Sequence, residues 1–116
     1  MELSIEKALQ QAIEAHKAGK LQEAEALYRA ILHNQPGHPD ANHNLGVLAV
    51  SVNRTEVALP FLRTALETNP DQGQFWISYI EALIKEKQFG NASIVLDQGT
   101  KRGFTGEKFD DLKMQL

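Results

Sequence analysis

The chain repeats itself every 34 residues, and few folds tolerate such a period. Sliding the sequence over itself by that distance brings Ala24, Ala58 and Ala92 into register, together with Tyr28, Leu62 and Leu96. The same shift pairs Pro36 with Pro70, Leu32 with Leu66, Leu9 with His43, and Gly19 with Asn53. A period in this range marks a stacked array, in which one supersecondary unit cannot bury its apolar face alone and lays it against its neighbours. Gly and Asn enter the left-handed backbone region most readily, so a tight turn recurs at positions 19 and 53.

Within a unit the apolar residues are spaced as on helices. Leu9, Ala12, Ile13 and His16 mark one stripe, and Leu21, Ala24, Leu27, Tyr28, Ile31 and Leu32 a broader one. Each unit is therefore two helices, predicted over residues 4–18 and 21–34, 40–52 and 55–68, and 74–86 and 89–102. Gly19-Lys20 and Asn53-Arg54 turn the chain inside the first two units, while Pro36-Gly37-His38-Pro39 and Asn69-Pro70-Asp71 break it between units. Asp40 and Asp71 follow these breaks and are expected to cap the next helix. Small residues, Ala12 and Gly46 on first helices and the alanine series on second helices, mark close helix contacts. Pro60 falls inside a second helix, where it predicts a bend or a displaced first turn. Beyond Gly106, Phe109, Leu112 and Leu116 share a face of a short helix that either covers the last unit or frays. The expectation is an all-α solenoid in one domain over 1–116, with repeats at about 5–38, 39–72 and 73–106 and a capping helix at about 107–116.

The composition removes several classes of function. Twelve basic residues against fifteen acidic ones leave a net charge of −3, so there is no cationic excess to neutralise a run of phosphates, and nucleic acid is not the expected partner. The absence of cysteine excludes disulfides, thiolate metal sites and a Cys nucleophile, and is consistent with a cytoplasmic protein. The N-terminal Met1-Glu2-Leu3-Ser4-Ile5-Glu6-Lys7 has neither the basic start nor the apolar run of a secretory signal, and no apolar stretch reaches the ~20 residues of a membrane span. His16, His33, His38 and His43 include no pair one helical turn apart, so they read as surface or groove histidines rather than metal ligands. No phosphate loop, nucleophile signature or spaced carboxylate pair is present, which predicts a chain without catalytic residues or cofactor.

The unit pattern resembles the tetratricopeptide repeat family over about residues 5–106. The middle unit carries Leu45-Gly46, Ala58-x3-Leu62 and Pro70, and the first keeps Ala24-x3-Tyr28 and Pro36 but lacks the tryptophan. The third carries Trp76 and Ala92-x3-Leu96, with Phe104 where proline would stand and Gly99 where the middle unit has Ala65. Phe75 is expected at the groove's edge, and the resemblance implies a right-handed arc whose first helices line a concave groove and makes Trp76 a core wedge. It assigns to the groove Leu9, Gln10, Ile13, His16 and Lys17 from the first unit. From the second come Asp40, His43, Asn44, Val47, Val50 and Ser51, and from the third Gln74, Ile77, Ser78, Glu81, Ile84 and Lys85. The aliphatic members of that set are either a docking stripe or half covered by neighbouring helices.

The run His38-Pro39-Asp40-Ala41-Asn42-His43-Asn44-Leu45-Gly46 is similar to repeats that precede glycosyltransferase domains, in which an asparagine matching Asn44 holds a peptide backbone. An amide serves that role because it both donates and accepts; the alternative is a solvated amide. The lysine, asparagine and arginine clamp that some relatives use for chaperone C-termini would fall on Leu9, Ile13, Asn44, Gln74 and Ser78, of which one agrees. A chaperone C-terminus is thus not the expected ligand. Three functions follow: a module binding a protein or peptide segment in its groove, a self-assembling structural module, or the N-terminal part of a larger transferase that positions a protein substrate.

Overall fold

Seven helices follow one another in the computed structural model, which describes residues 4–116: α1 (Ile5–Lys17), α2 (Leu21–Asn34), α3 (Pro39–Ser51), α4 (Thr55–Thr68), α5 (Gly73–Lys85), α6 (Phe89–Lys101) and α7 (Glu107–Met114). Residues 1–3, which open the expected domain and the N-terminal segment read above, lie outside the described residues. Each helix packs on the next to build an all-α solenoid, 48 Å along its longest axis and 26 by 22 Å across.

The turn inside each unit is the same hydrogen-bonded device three times over. Gly19, Asn53 and Lys87, spaced by the repeat, all have left-handed φ angles, of 78°, 62° and 61°. The following residue donates its N–H back into the last turn of the first helix: Lys20 to the Ala15 carbonyl, Arg54 to Ala49 and Gln88 to Leu83, at 2.8–2.9 Å. These bonds satisfy carbonyls that a helix end otherwise leaves open. The junctions between units recur as well. Trp76 Nε1 donates to the Pro70 carbonyl at 2.8 Å, and Asn42 Nδ2, one repeat earlier, donates to the Pro36 carbonyl at 3.0 Å. Tryptophan and asparagine thus perform one task at equivalent sites, pinning the linker to the helix that follows it.

Core positions also recur, and their sizes are reciprocal. In the first unit α1 buries only alanines, Ala8, Ala12 and Ala15, and faces Ala24, Tyr28 and Ile31 of α2. In the third the bulk lies on the first helix, Trp76, Ile80 and Leu83, against Ala92, Leu96 and Gly99 of α6. The middle unit sets Asn42, Gly46 and Ala49 against Ala58, Leu62 and Ala65. Leu9, Ile13 and His16 flank the α1 contact half-buried, so the buried stripe lies beside the one expected from the sequence. A methyl group on Gly46 would stand 2.6 Å from Leu62 Cγ and Cδ2, and one on Gly99 would stand 3.1 Å from the Trp76 ring. Close packing of this kind makes a single added carbon costly.

Three local expectations are corrected. α3 is capped by His38, whose Nδ1 accepts from the Ala41 N–H at 3.1 Å, because Pro39 opens the helix and moves Asp40 to its second position. Asp71 lies ahead of the Gln72 cap position and instead pairs with Arg102, Oδ1 to Nη2 3.1 Å. Pro60 lies exposed in the second turn of α4, which spans Thr55 to Thr68, and its ring forfeits the bond to the Glu56 carbonyl. Phe75 is 4% exposed, a core residue rather than an edge.

α7 begins 34 residues after α5 yet turns a different face inward. Asp110 and Met114, the repeat equivalents of buried Trp76 and Ile80, are exposed, while Phe109 and Leu112 are buried on the third unit. Phe109 stacks on Phe104 with centroids 5.9 Å apart. Two buried side chains contribute about 3–6 kcal/mol of transfer free energy, enough to seat an eight-residue helix.

Gly46→Ala should lower stability by about 1 kcal/mol or more even though alanine is the better helix former by about the same amount. In a Leu62→Ala background the added methyl should cease to harm. Urea denaturation of the four proteins of this cycle checks it, and independent effects of the two substitutions would show that the contact is not limiting.

Candidate functional site

The first helices lie side by side, and three clefts open along their common face. The largest, about 590 Å³, separates α3 from α5. Val47, Val50, Leu62 and Ala82 form its apolar surface, and His43, Ser51, Gln74, Ser78, Glu81 and Lys85 complete its walls. A second, about 280 Å³, lies between α1 and α3 and is lined by Ile13, His16, Lys17 and Asn44 with Tyr28 at its base. The third, about 220 Å³, is shared by Ile77 and Glu81 of α5 with Lys108, Asp111, Leu112 and Gln115 of α7.

Polar contacts run along this face and join the second and third units. The Gln74 amide donates to Ser78 Oγ at 3.1 Å, and Ser78 Oγ lies 2.8 Å from His43 Nε2. His43 Nδ1 lies 3.3 Å from Asn44 Oδ1, and the Tyr28 hydroxyl lies 3.4 Å from His16 Nδ1. One assignment of protons satisfies the His43 contacts. The Ser78 hydroxyl, which already accepts from Gln74, donates to Nε2, and the neutral ring donates from Nδ1–H to Asn44. Burial raises the pKa of the Tyr28 phenol, and the Asn44 amide beside it opposes the rise. The His43 ring stacks on Phe75, centroids 4.6 Å apart. Burial lowers the His43 pKa from its ordinary 6.5, against the opposing pull of Asn44 and of the Asp40 carboxylate.

Thirteen of the groove positions read from the sequence line one of these clefts, and Leu9, Gln10, Asp40 and Ile84 lie outside them. Leu9 packs on the N-terminal core and Ile84 on the C-terminal one. Ile77 is only 9% exposed, since Phe109 and Leu112 of α7 share its cluster, so it is a core residue that merely reaches the third cleft. Val47 and Val50 are half-buried against the middle core and still open to the largest cleft. The Asn44 Oδ1 already meets His43, while no hydrogen bond engages its Nδ2 among the described residues. Tyr28, Leu62 and Ala82 escaped the sequence reading because their helical positions mark them as core. They reach the clefts because small neighbours leave the space between first helices unfilled. Among the described residues no group of three or more His, Asp or Glu could hold a metal ion, and no helix is long and apolar enough to cross a membrane.

The family profile described as "Tetratricopeptide repeat" matches residues 9–72. No curated protein matches the sequence. Solved structures share the fold at low identity. The first repeat domain of Spaghetti (RPAP3), bound to the HSP90 peptide SRMEEVD, superposes with a TM-score of 0.84 at 14% identity, covering 96% of this chain and 89% of that one. The Sgt2 domain from Aspergillus fumigatus gives 0.82 at 16%, covering 96% and 76%. The protein MamA MSR-1 gives 0.72 at 23%, covering 82% and 55%. The chain spans 52–64% of the length of the first MamA chains it matches.

His43 makes the stability of this face depend on pH. Its native pKa is depressed, so the unfolded ring takes up a proton first as the pH falls below about 6.5. The contribution is present above that value and is lost as the pH descends through the lower native pKa. Between about pH 7.5 and about pH 5, urea denaturation should show a larger loss for the parent than for His43→Gln. Equal losses would mean that the ring titrates alike in both states.

Proposed function

The chain belongs to the tetratricopeptide repeat family, and from that premise we propose that it is a protein-interaction module whose face of first helices takes a segment of a partner protein. The observation that carries this reading is the cleft between α3 and α5. Its aliphatic surface stays open inside a wall of hydrogen-bonding side chains, the combination expected of a site that draws affinity from apolar burial and orientation from a few polar groups. Spaghetti (RPAP3), a structure of the same fold, is solved with a peptide bound, which supports a peptide as the class of ligand. The role is that of a scaffold or adaptor without a reaction of its own, in the cytoplasm.

The residues of the face also indicate which peptide is refused. The positions that would carry the basic clamp hold Leu9, Ile13, Asn44, Gln74 and Ser78, none of which supplies a positive charge to an acidic C-terminus. The peptide SRMEEVD is therefore expected not to bind. Asn44, whose Oδ1 meets His43, keeps spare amide capacity for a backbone contact.

A library of random 12-residue peptides displayed on phage and selected on the immobilised chain tests the reading. Selected peptides should lose about tenfold or more in affinity on Val47→Glu, which puts a charge into the apolar surface. They should bind Glu56→Lys, on α4, as they bind the parent, with circular dichroism confirming that both variants fold. Peptides that ignore Val47→Glu would place the binding elsewhere.

A further inference from the structure

The largest cleft carries information about the order of residues in its occupant. Its apolar surface, Val47, Val50, Leu62 and Ala82, offers no counter-ion, so a charged side chain inserted there would lose its water without compensation. Glu81 and Lys85 stand on the α5 side, both exposed and four residues apart. Glutamate four residues before lysine is the favourable order for an intrahelical pair, yet among the described residues neither side chain takes part in an ion pair. Both charges face the cleft unspent. Four residues of helix advance ~6 Å, and two residues of extended chain advance ~6.8 Å. An extended segment lying along α5 therefore sets residues i and i+2 opposite Glu81 and Lys85, and its alternation turns residue i+1 toward Val47 and Val50 on α3.

Resting on the groove reading above, we propose that this cleft selects an extended segment in which a bulky apolar residue is flanked by one basic and one acidic residue, the basic side chain facing Glu81 and the acidic one facing Lys85. The central side chain supplies affinity by burial. The flanking pair fixes the direction in which the segment runs, because reversing the chain without reversing its charges sets like against like. Pairs at an exposed rim contribute modestly, so the charges decide direction and discrimination more than strength.

Panning a library of end-blocked peptides, random at seven consecutive positions, on the intact chain tests this. The enriched sequences should share an apolar residue between opposite charges. One such peptide, synthesised and measured by fluorescence anisotropy, should bind Glu81→Lys about fivefold more weakly than the parent. Changing the peptide's basic residue to glutamate should restore binding to that variant while weakening binding to the parent. Replacing the central apolar residue by serine should abolish measurable binding to both. Enriched peptides that lose affinity on Val47→Glu but ignore Glu81→Lys, or tolerate serine at the centre, would overturn the charge-flanked anchor and leave the groove reading standing. Peptides indifferent to Val47→Glu, or no enrichment at all, would overturn both.

Discussion

Ala24, Ala58 and Ala92 have no accessible surface at all, and the helices opposite them come close enough that Gly46 has no room for a methyl group. That separation is the constraint on which the rest of the architecture depends. Helices this close cannot both carry large side chains at their contact, so bulk is divided between them. The first unit places it on α2 as Tyr28 and Ile31, the third on α5 as Trp76, Ile80 and Leu83. Moving the bulk from one helix to the other lets units of different sequence stack in one array. The left-handed turns at Gly19, Asn53 and Lys87 then lead from the first helix of each unit to its second. Lys87 shows that the geometry is imposed by the stack, since lysine has no preference for that region.

Much of this was legible in the sequence because the repeat supplies independent copies of each signal. The six paired helices lie within a residue or so of their predicted limits, since a proline, glycine or asparagine punctuates most boundaries and the repeat period places the Lys87 turn that lacks one. What the sequence concealed falls into two kinds. Capping was misassigned because His38 and Asp40 are both chemically able to cap, and the choice turned on where Pro39 begins the helix. The fate of Ile77 depended on α7, whose inward face is set by Phe109 and Leu112 rather than by the repeat register, so no periodicity argument could show that it would be covered. His43 and Ser78 were visible as groove residues, but the hydrogen bond between them joins two units and has no local signature.

The clefts are a consequence of the same packing. Where first helices of neighbouring units meet, small residues such as Ala82 leave the space above Leu62 unfilled, and the polar chain from Gln74 to Asn44 holds the two walls together. Because α3 and α5 belong to different units, the width of the cleft follows the pitch of the stack rather than the conformation of any loop. Walls made of packed helices rather than loops need little ordering, which would lower the cost of any association at the proposed groove.

Titrating the 15N-labelled chain with a selected peptide and following its amide resonances tests the central claim most directly. The account predicts that the largest shifts fall on the walls of the α3–α5 cleft, at Val47, Val50, Ser78 and Glu81, with smaller ones at Asn44 and Ile13. Shifts concentrated on the outer faces of α4 and α6, around Glu56, Arg63 and Ser93, with the cleft unmoved, would contradict it.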